Sequence, residues 1–333
     1  MDSDKNRQAL SVSRAEAGQK LLNFLQRRVE AATGEFHRWI RTGQVRVNGS
    51  RAKAFDRVEE GDLVRVPPFA VFLPAGGDTA AASGKDSRPN EPRPQSSGTK
   101  KNSSLRIVHE DEDILVIAKP AGLPVQGGTG HSDSIAARLA AERADADFVP
   151  APVHRLDKDT TGLLVAGKTY AAVRQLTDAL AGRGGEAPRK EYLAWVEGLW
   201  PFPPEHGPEE LHDFLAKDQK AQRMKTVRGN KDEEGQEARC IVTALESRRF
   251  PEGPQGRTYT LLLIRLLTGR THQIRVQLAS RGHAIVGDPW YGKATEDGLK
   301  LHAFRLTLPL PGKATKTLEL LPPWKGTWKV SKA

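Results

Sequence analysis

The chain has 333 residues, 38% of them hydrophobic and 28% charged, enough to bury a sizeable core and more than one domain requires. Its formal net charge of +10 attracts polyanions, and the commonest polyanion in a cell is nucleic acid. A single cysteine, Cys240, excludes an internal disulfide framework and any multi-cysteine metal site, and no stretch approaches the ~20 apolar residues of a membrane span.

The first ten residues, MDSDKNRQAL, hold no apolar run of the kind a signal peptide needs, and a reducing cytoplasm is the expected compartment. Residues 13–68 then read as a compact unit. Leu21, Leu22, Phe24 and Leu25 mark a helix, and Phe36, Trp39 and Ile40 mark a second by their three- and four-residue spacing. Residues 44–49, QVRVNG, alternate like a strand and close on an Asn-Gly turn signal. Another turn at 60–62 precedes a strand at 63–66. Residues 69–104 are expected to form a flexible linker. Most of them are Gly, Ser, Pro, Lys and Asp, which cannot bury enough surface to offset the entropy of ordering.

A second domain is expected over 105–333. Strands are predicted at 114–118, 191–196, 238–245, 258–267 and 301–308, with an apolar strand also following a turn within 153–166. Ser132 is the expected cap of a helix carrying Ala136, Leu139 and Ala140. Thr169 starts another through Val173, Leu176 and Leu180, and a third fits 271–280. Runs of strands with a few interspersed helices predict an α+β fold with a mostly antiparallel, mixed sheet, preceded by a small N-terminal α/β unit.

The order helix, helix, strand, turn, strand in the first unit, with FHRWIRTGQVRVNG followed by RVEEGDLVRV, resembles the S-four-type RNA-binding domain. The unit carries Arg27, Arg28, Arg38, Arg41, Arg46, Arg51, Lys53 and Arg57. Such side chains supply phosphate contacts whose strength falls with salt. Arg38, Arg41, Arg46 and Lys53 are the candidates for RNA contact. Where that family has a Ser-Arg pair at the start of the second helix, this chain has GEFHR at 34–38.

Residues 154–165, HRLDKDTTGLLV, pack charged side chains into a turn that leads directly into a buried strand, and loops held by a rigid scaffold are where chemistry usually sits. KEYLAWVEG follows at 190–198, GRTHQIRVQL at 269–278 and GDPWYG at 287–292, with KPAG at 119–122 before them and LHA at 301–303 after. Together these resemble the pseudouridine synthases of the large-subunit ribosomal RNA type, the RluA family, from residue 105 to about 309. Thr161 stands where that family usually has Ser, and Gln277 where it usually has His.

The resemblance implies a pseudouridine synthase fold and an enzyme that converts uridine to pseudouridine in RNA, large-subunit (23S) ribosomal RNA above all. Transfer RNA is the alternative substrate, and ribosomal RNA binding without chemistry the alternative function. It implies Asp157 as the nucleophile, attacking either the sugar or the base ring, and a carboxylate must be ionised to attack. Arg275 would sit against Asp157 and favour its charged form. Tyr192 would stack on the uracil and help remove the proton from the ring carbon. The uridine must first be flipped out of the RNA. Arg155 is the candidate to fill the gap, beside His154, which also faces the RNA and orders the loop. No oxidation state changes, so neither a redox cofactor nor a metal is needed, and the sequence offers no metal-ligand cluster. RNA is the expected partner, no membrane is involved, and the chain is expected to be a monomer. Residues 162–169, GLLVAGKT, also match the phosphate-loop pattern. Their middle Leu-Leu-Val-Ala is expected to be a buried strand, and the match is read as chance.

Overall fold

The computed structural model describes residues 9–73, 104–127, 133–183, 188–218, 221, 223–227, 235–250, 256–309 and 314–333. Most of the expected linker, 74–103, and the expected cap Ser132 lie outside them.

The N-terminal unit runs β1 (Ala9–Ser11), α1 (Leu21–Arg28), β2 (Val29–Glu30), α2 (Thr33–Thr42), β3 (Arg46–Val47), β4 (Ser50–Arg51), β5 (Leu63–Arg65) and β6 (Val71–Phe72). The apolar spacing of the two helices has the expected outcome. Leu21, Phe24 and Leu25 of α1 meet Phe36, Trp39 and Ile40 of α2 in one core with Val45, Val58 and Val64. The four-stranded sheet has the order β1-β5-β3-β4. Its tight hairpin turns on Asn48 (φ +50) and Gly49 (φ +78), the left-handed pair that a two-residue hairpin demands. The unit reaches beyond the expected 13–68. β1 precedes it, and β6 pairs with β2 inside the stretch assigned to the linker. Val71 and Phe72 are enough to make that pair, and composition averaged over a long window hides them.

The second unit opens with β7 (Ile107–Glu110), β8 (Ile114–Lys119), α3 (Ile135–Glu142), β9 (Ala151–Pro152), β10 (Thr161–Gly167) and α4 (Tyr170–Leu180). It continues with β11 (Arg189–Glu197), β12 (Glu209–Asp218), β13 (Arg223–Val227), β14 (Gln236–Phe250), β15 (Arg257–Leu266), α5 (Gln273–Ala279), β16 (Leu301–Leu308) and β17 (Lys316–Glu319). Nine strands follow one path, β13-β12-β14-β15-β11-β16-β10-β8-β7, with β17 on β16 and β9 on β10. Neighbours on the path are antiparallel except β10 and β16, which run parallel. This is the expected α+β fold with a mixed, mostly antiparallel sheet.

Two details differ from expectation. Helix α3 is capped by Ser134, whose Oγ accepts from Ala137 N at 3.1 Å. β12 and β13 were not expected: EELHDFLAKD shows only Leu211 and Leu215 as fully buried apolar residues, too few for a clear alternation. The two units also touch. Tyr170 N, an otherwise unpaired donor at the start of α4, donates to Ala15 O at 2.8 Å. The Arg27 guanidinium lies 4.4 Å from the centre of the Phe148 ring.

Candidate active site

β11, β16 and β10 lie side by side in the sheet, and the loop before β10 lines a cleft with Tyr192 of β11 and Leu301 of β16. Gly162, with φ +116, lets β10 come this close to β16, since a Cβ there would stand 2.3 Å from Ala303 O. Thr161 Oγ1 lies 2.7 Å from His302 Nδ1, and His302 Nε2 lies 2.8 Å from Leu320 O. The carbonyl can only accept, so Nε2 donates to it and Nδ1 accepts from the threonine hydroxyl. The Thr161 hydroxyl thus helps hold His302 in one tautomer.

The loop itself is fastened from beneath. Lys119, at the end of β8, is 2% exposed. Its Nζ donates to Pro120 O (3.0 Å), Lys158 O (2.7 Å) and Thr160 O (2.9 Å). Burial pushes its pKa down to about 8 against the pull of Asp159 and Asp157. His154 Nε2 accepts from Val165 N at 3.1 Å, and burial together with Lys190 lowers that ring to about 4. His154 is thus a neutral loop anchor, while Arg155 beside it is exposed.

Asp157, its side chain 18% exposed, lies in an open cleft of about 930 Å³. Arg275 of α5 reaches it with Nη1 3.3 Å from Oδ2. The rest of that guanidinium is held by Asp288, with Nε to Oδ2 at 2.7 Å and Nη2 to Oδ1 at 2.8 Å. Asp288 Oδ1 also accepts from Trp290 N and Tyr291 N. The GDPWYG segment is therefore a cradle that presents one face of Arg275 to Asp157. Despite burial, Arg275 is held above its ordinary value by Asp288 and Asp157. Asp288, against its own burial, is held below its ordinary value by the Arg275 guanidinium and by the amides of Trp290 and Tyr291. Tyr192, on β11, lies where the register of β11 against β16 shifts, a bulge of the kind that re-aims side chains at active sites. Burial, then the Asp157 charge, pushes its hydroxyl upward, so it is a phenol at neutral pH. The ring lines the cleft as a neutral phenol face.

The structure thus brings Asp157, Tyr192, Arg275, Arg155 and His154 to one cleft. Arg189, Lys190, Arg265 and Arg270 also line it, a positive wall for a phosphate backbone. Arg38, Arg41, Arg46 and Lys53 belong to the N-terminal unit, where Arg38, Arg41 and Lys53 are exposed. Arg46 is partly occupied by Gly49 O at 3.0 Å. Sequence reasoning gave no role to Lys119, His272, Asp288 or Tyr291. All four sit in segments it quoted, but their partners lie in other segments: the loop at Lys158 and Thr160 for Lys119, Arg275 on α5 for Asp288, Met224 on β13 for Tyr291, and Tyr291 and Asp157 for His272. Gln277 is fully buried and donates to Asp213 (2.7 Å) and Ala238 O (3.1 Å), so it braces α5 against β12 and β14. Residues 162–167, the core of the phosphate-loop match, pair with β8 throughout and are buried, leaving no loop to wrap a phosphate. Among the described residues no cluster of side chains has metal-ligand geometry, and no helix is long and apolar enough to cross a membrane.

A sheet of this topology, with an aspartate–arginine pair at its centre and a basic cleft above, defines an RNA-modifying enzyme of the pseudouridine synthase fold. The family model described as RNA pseudouridylate synthase matches residues 113–280. The ribosomal large subunit pseudouridine synthase C of Pasteurella multocida (strain Pm70) is 33% identical, across 94% of this chain and 89% of its own length. That of Escherichia coli (strain K12) is 33% identical across 91% and 89%. Among solved structures, human RNA pseudouridylate synthase domain containing 1 superposes with a TM-score of 0.55 at 23% identity, covering 69% of this chain and 87% of that one. This chain belongs to the RNA pseudouridine synthase family, and it is an RNA pseudouridine synthase.

Proposed function

We propose that the protein isomerises uridine in large-subunit ribosomal RNA, acting as a monomer in the cytoplasm with Asp157 as the nucleophile. The observation that carries this reading is the Asp157–Arg275 pair at 3.3 Å, backed by Asp288, at the floor of a cleft lined with arginine. The adjacent guanidinium holds Asp157 Oδ2 and orients the carboxylate. The target base leaves the RNA stack and lies against the Tyr192 ring, and Arg155 takes the place it vacates. Asp157 attacks the sugar or the base, and the bond between the sugar carbon and N1 breaks. The base turns, a bond forms from the same sugar carbon to C5, the bond to Asp157 breaks and returns the carboxylate, the C5 proton leaves and N1 gains one. Atoms and electrons balance with no redox partner.

The relatives' names supply the ribosomal target, and the net charge of +10 with the exposed Arg38, Arg41 and Lys53 supports an N-terminal RNA grip. The test is twofold. Asp157→Asn keeps the shape but is no carboxylate nucleophile, and is expected to abolish turnover while leaving fold and RNA affinity nearly unchanged. Turnover near the wild-type rate would remove Asp157 from this role. Mapping pseudouridines in cellular RNA with and without the gene is expected to show sites missing from large-subunit ribosomal RNA. Sites missing from transfer RNA instead would reassign the substrate.

A further inference from the structure

His272 stands between the catalytic pair and a hairpin that reaches in from the far end of the sheet. Its φ is +53, and among the described residues only Asn48 is a second non-glycine with positive φ. Such a conformation costs roughly 1–3 kcal/mol and persists only where the surroundings hold it. What holds it is a set of specific contacts. His272 Nδ1 lies 3.0 Å from Tyr291 Oη, and the ring packs edge-on against Trp290 and Tyr291 at 5.4 and 5.7 Å. Its other nitrogen, Nε2, lies 3.9 Å from Asp157 Oδ2.

The hydrogen bonds decide which nitrogen carries the proton. Tyr291 Oη accepts from Met224 N, on β13, at 3.0 Å. Burial pushes the Tyr291 hydroxyl above its ordinary value, so it keeps its own proton and must donate it. Among the described residues the acceptor in reach is His272 Nδ1. The neutral ring then bears its hydrogen on Nε2, the atom that faces Asp157. Burial, with Arg275 and Arg155, outweighs Asp157 and Asp288 and holds the ring below its ordinary value, which keeps it neutral.

At 3.9 Å the Nε2–H is beyond a direct hydrogen bond, so the contact requires a turn of the carboxylate toward the ring. Arg275 Nη1 approaches the same oxygen, Oδ2, at 3.3 Å. Among the described residues nothing hydrogen-bonds Oδ1. Both donors therefore lie on one side of the carboxylate. We propose that His272 is a positioning residue for the isomerisation: its Nε2–H joins Arg275 in holding Asp157 Oδ2, so that Oδ1 is turned to the flipped uridine. Tyr291, fastened to β13 through Met224, sets the tautomer that makes this possible. The assignment rests on Asp157 being the nucleophile.

The test compares kcat and KM of the full chain for His272→Asn, His272→Gln, Tyr291→Phe and Asp157→Asn. The substrate is RNA from cells lacking the gene, with the target uridine mapped beforehand. Asparagine tolerates the left-handed backbone but ends short of the Nε2 position, whereas glutamine reaches it. H272N is expected to lower kcat about 100-fold, the scale of a misplaced reacting group, with KM near wild type. H272Q is expected to recover much of the loss. Y291F is expected to fall between wild type and H272N. Wild-type kcat in H272N, a loss expressed in KM alone, or H272Q no better than H272N would each overturn the assignment. If H272N fails to fold, Y291F decides, since it removes one oxygen: wild-type kcat in Y291F overturns the proposal. The D157N arm separates the two readings. Turnover in D157N removes the nucleophile itself, whereas a dead D157N beside a fully active H272N removes only His272.

Discussion

Asp288 accepts four hydrogen bonds, two from the Arg275 guanidinium and two from backbone amides. Its side chain is fully buried and that of Arg275 nearly so. Such a pair adds little net stability while intact, but removing one partner leaves a buried charge uncompensated. Asp288→Asn is expected to cost roughly 3 kcal/mol in a thermal or denaturant melt. It should also lower kcat, since Nη1 is no longer aimed at Asp157. Unchanged kcat would mean that Arg275 is held by other contacts. His302 gives a pH dependence. Burial lowers its pKa to about 4 from the ordinary 6.5. Between those values the unfolded chain binds a proton that the folded chain does not, so stability falls as pH drops through the window. His154 acts in the same direction and the same range. His302→Gln keeps a donor for Leu320 O and has nothing to titrate. Its unfolding free energy, from melts at several pH values, is expected to fall less steeply between pH 6.5 and 4, by an amount on the order of 1 kcal/mol or more.

β10 shows what the environment of an element decides. All seven residues, TGLLVAG, are buried, with β8 on one edge and β16 on the other. The string that matches a phosphate loop is a central strand, because four adjacent apolar residues are more stable inside a sheet than around an anion. Its parallel contact with β16 begins at Thr161 and Gly162, where the backbones come too close for a Cβ. Gly162→Ala adds a left-handed penalty to a backbone clash, and is expected to cost ~3 kcal/mol or more. Chemical denaturation of the purified variant checks it, and near-wild-type stability would show that β16 can retreat. β12 and β13 make the opposite point. Their exposed, charged faces hide them from pattern analysis, yet they carry Met224 and Asp213, which brace Tyr291 and Gln277.

The two units were expected to be modules on a flexible tether, yet they meet at Ala15 and Tyr170 and at Arg27 and Phe148. Of the basic side chains in the first unit, Arg28 is tied to Glu16 at 3.1 Å, Arg57 to Gly18 O and Arg38 to Glu35 at 3.5 Å, while Arg41, Arg51 and Lys53 are exposed. A chain shortened to begin at residue 104 is expected to fold and to turn over at saturating RNA, because Asp157, Tyr192 and Arg275 all lie beyond that point. Its affinity should be weaker and its salt dependence shallower, by roughly 0.7–0.9 in the logarithmic slope for each phosphate that is no longer neutralised. Titration of both chains at several salt concentrations measures this. Equal slopes would remove the RNA-grip role. A folded but inactive short chain would show that docking of the first unit shapes the active site.

The sequence alone determined the period of each strong element, the α+β class, and the segments that hold Asp157, Tyr192 and Arg275. These are local properties: apolar spacing follows from helix and strand geometry, and the motifs are contiguous strings. The first unit's helices and hairpin were readable for the same reason, with Asn48 and Gly49 fixing the turn. What only the tertiary structure decided is which distant groups complete the site. Lys119 pins a loop some forty positions along the chain, Asp288 clasps Arg275, and Met224 orients Tyr291 and through it His272. Each is a hydrogen bond between segments that only the folded chain brings together, and that folding is set by the packing of all faces at once.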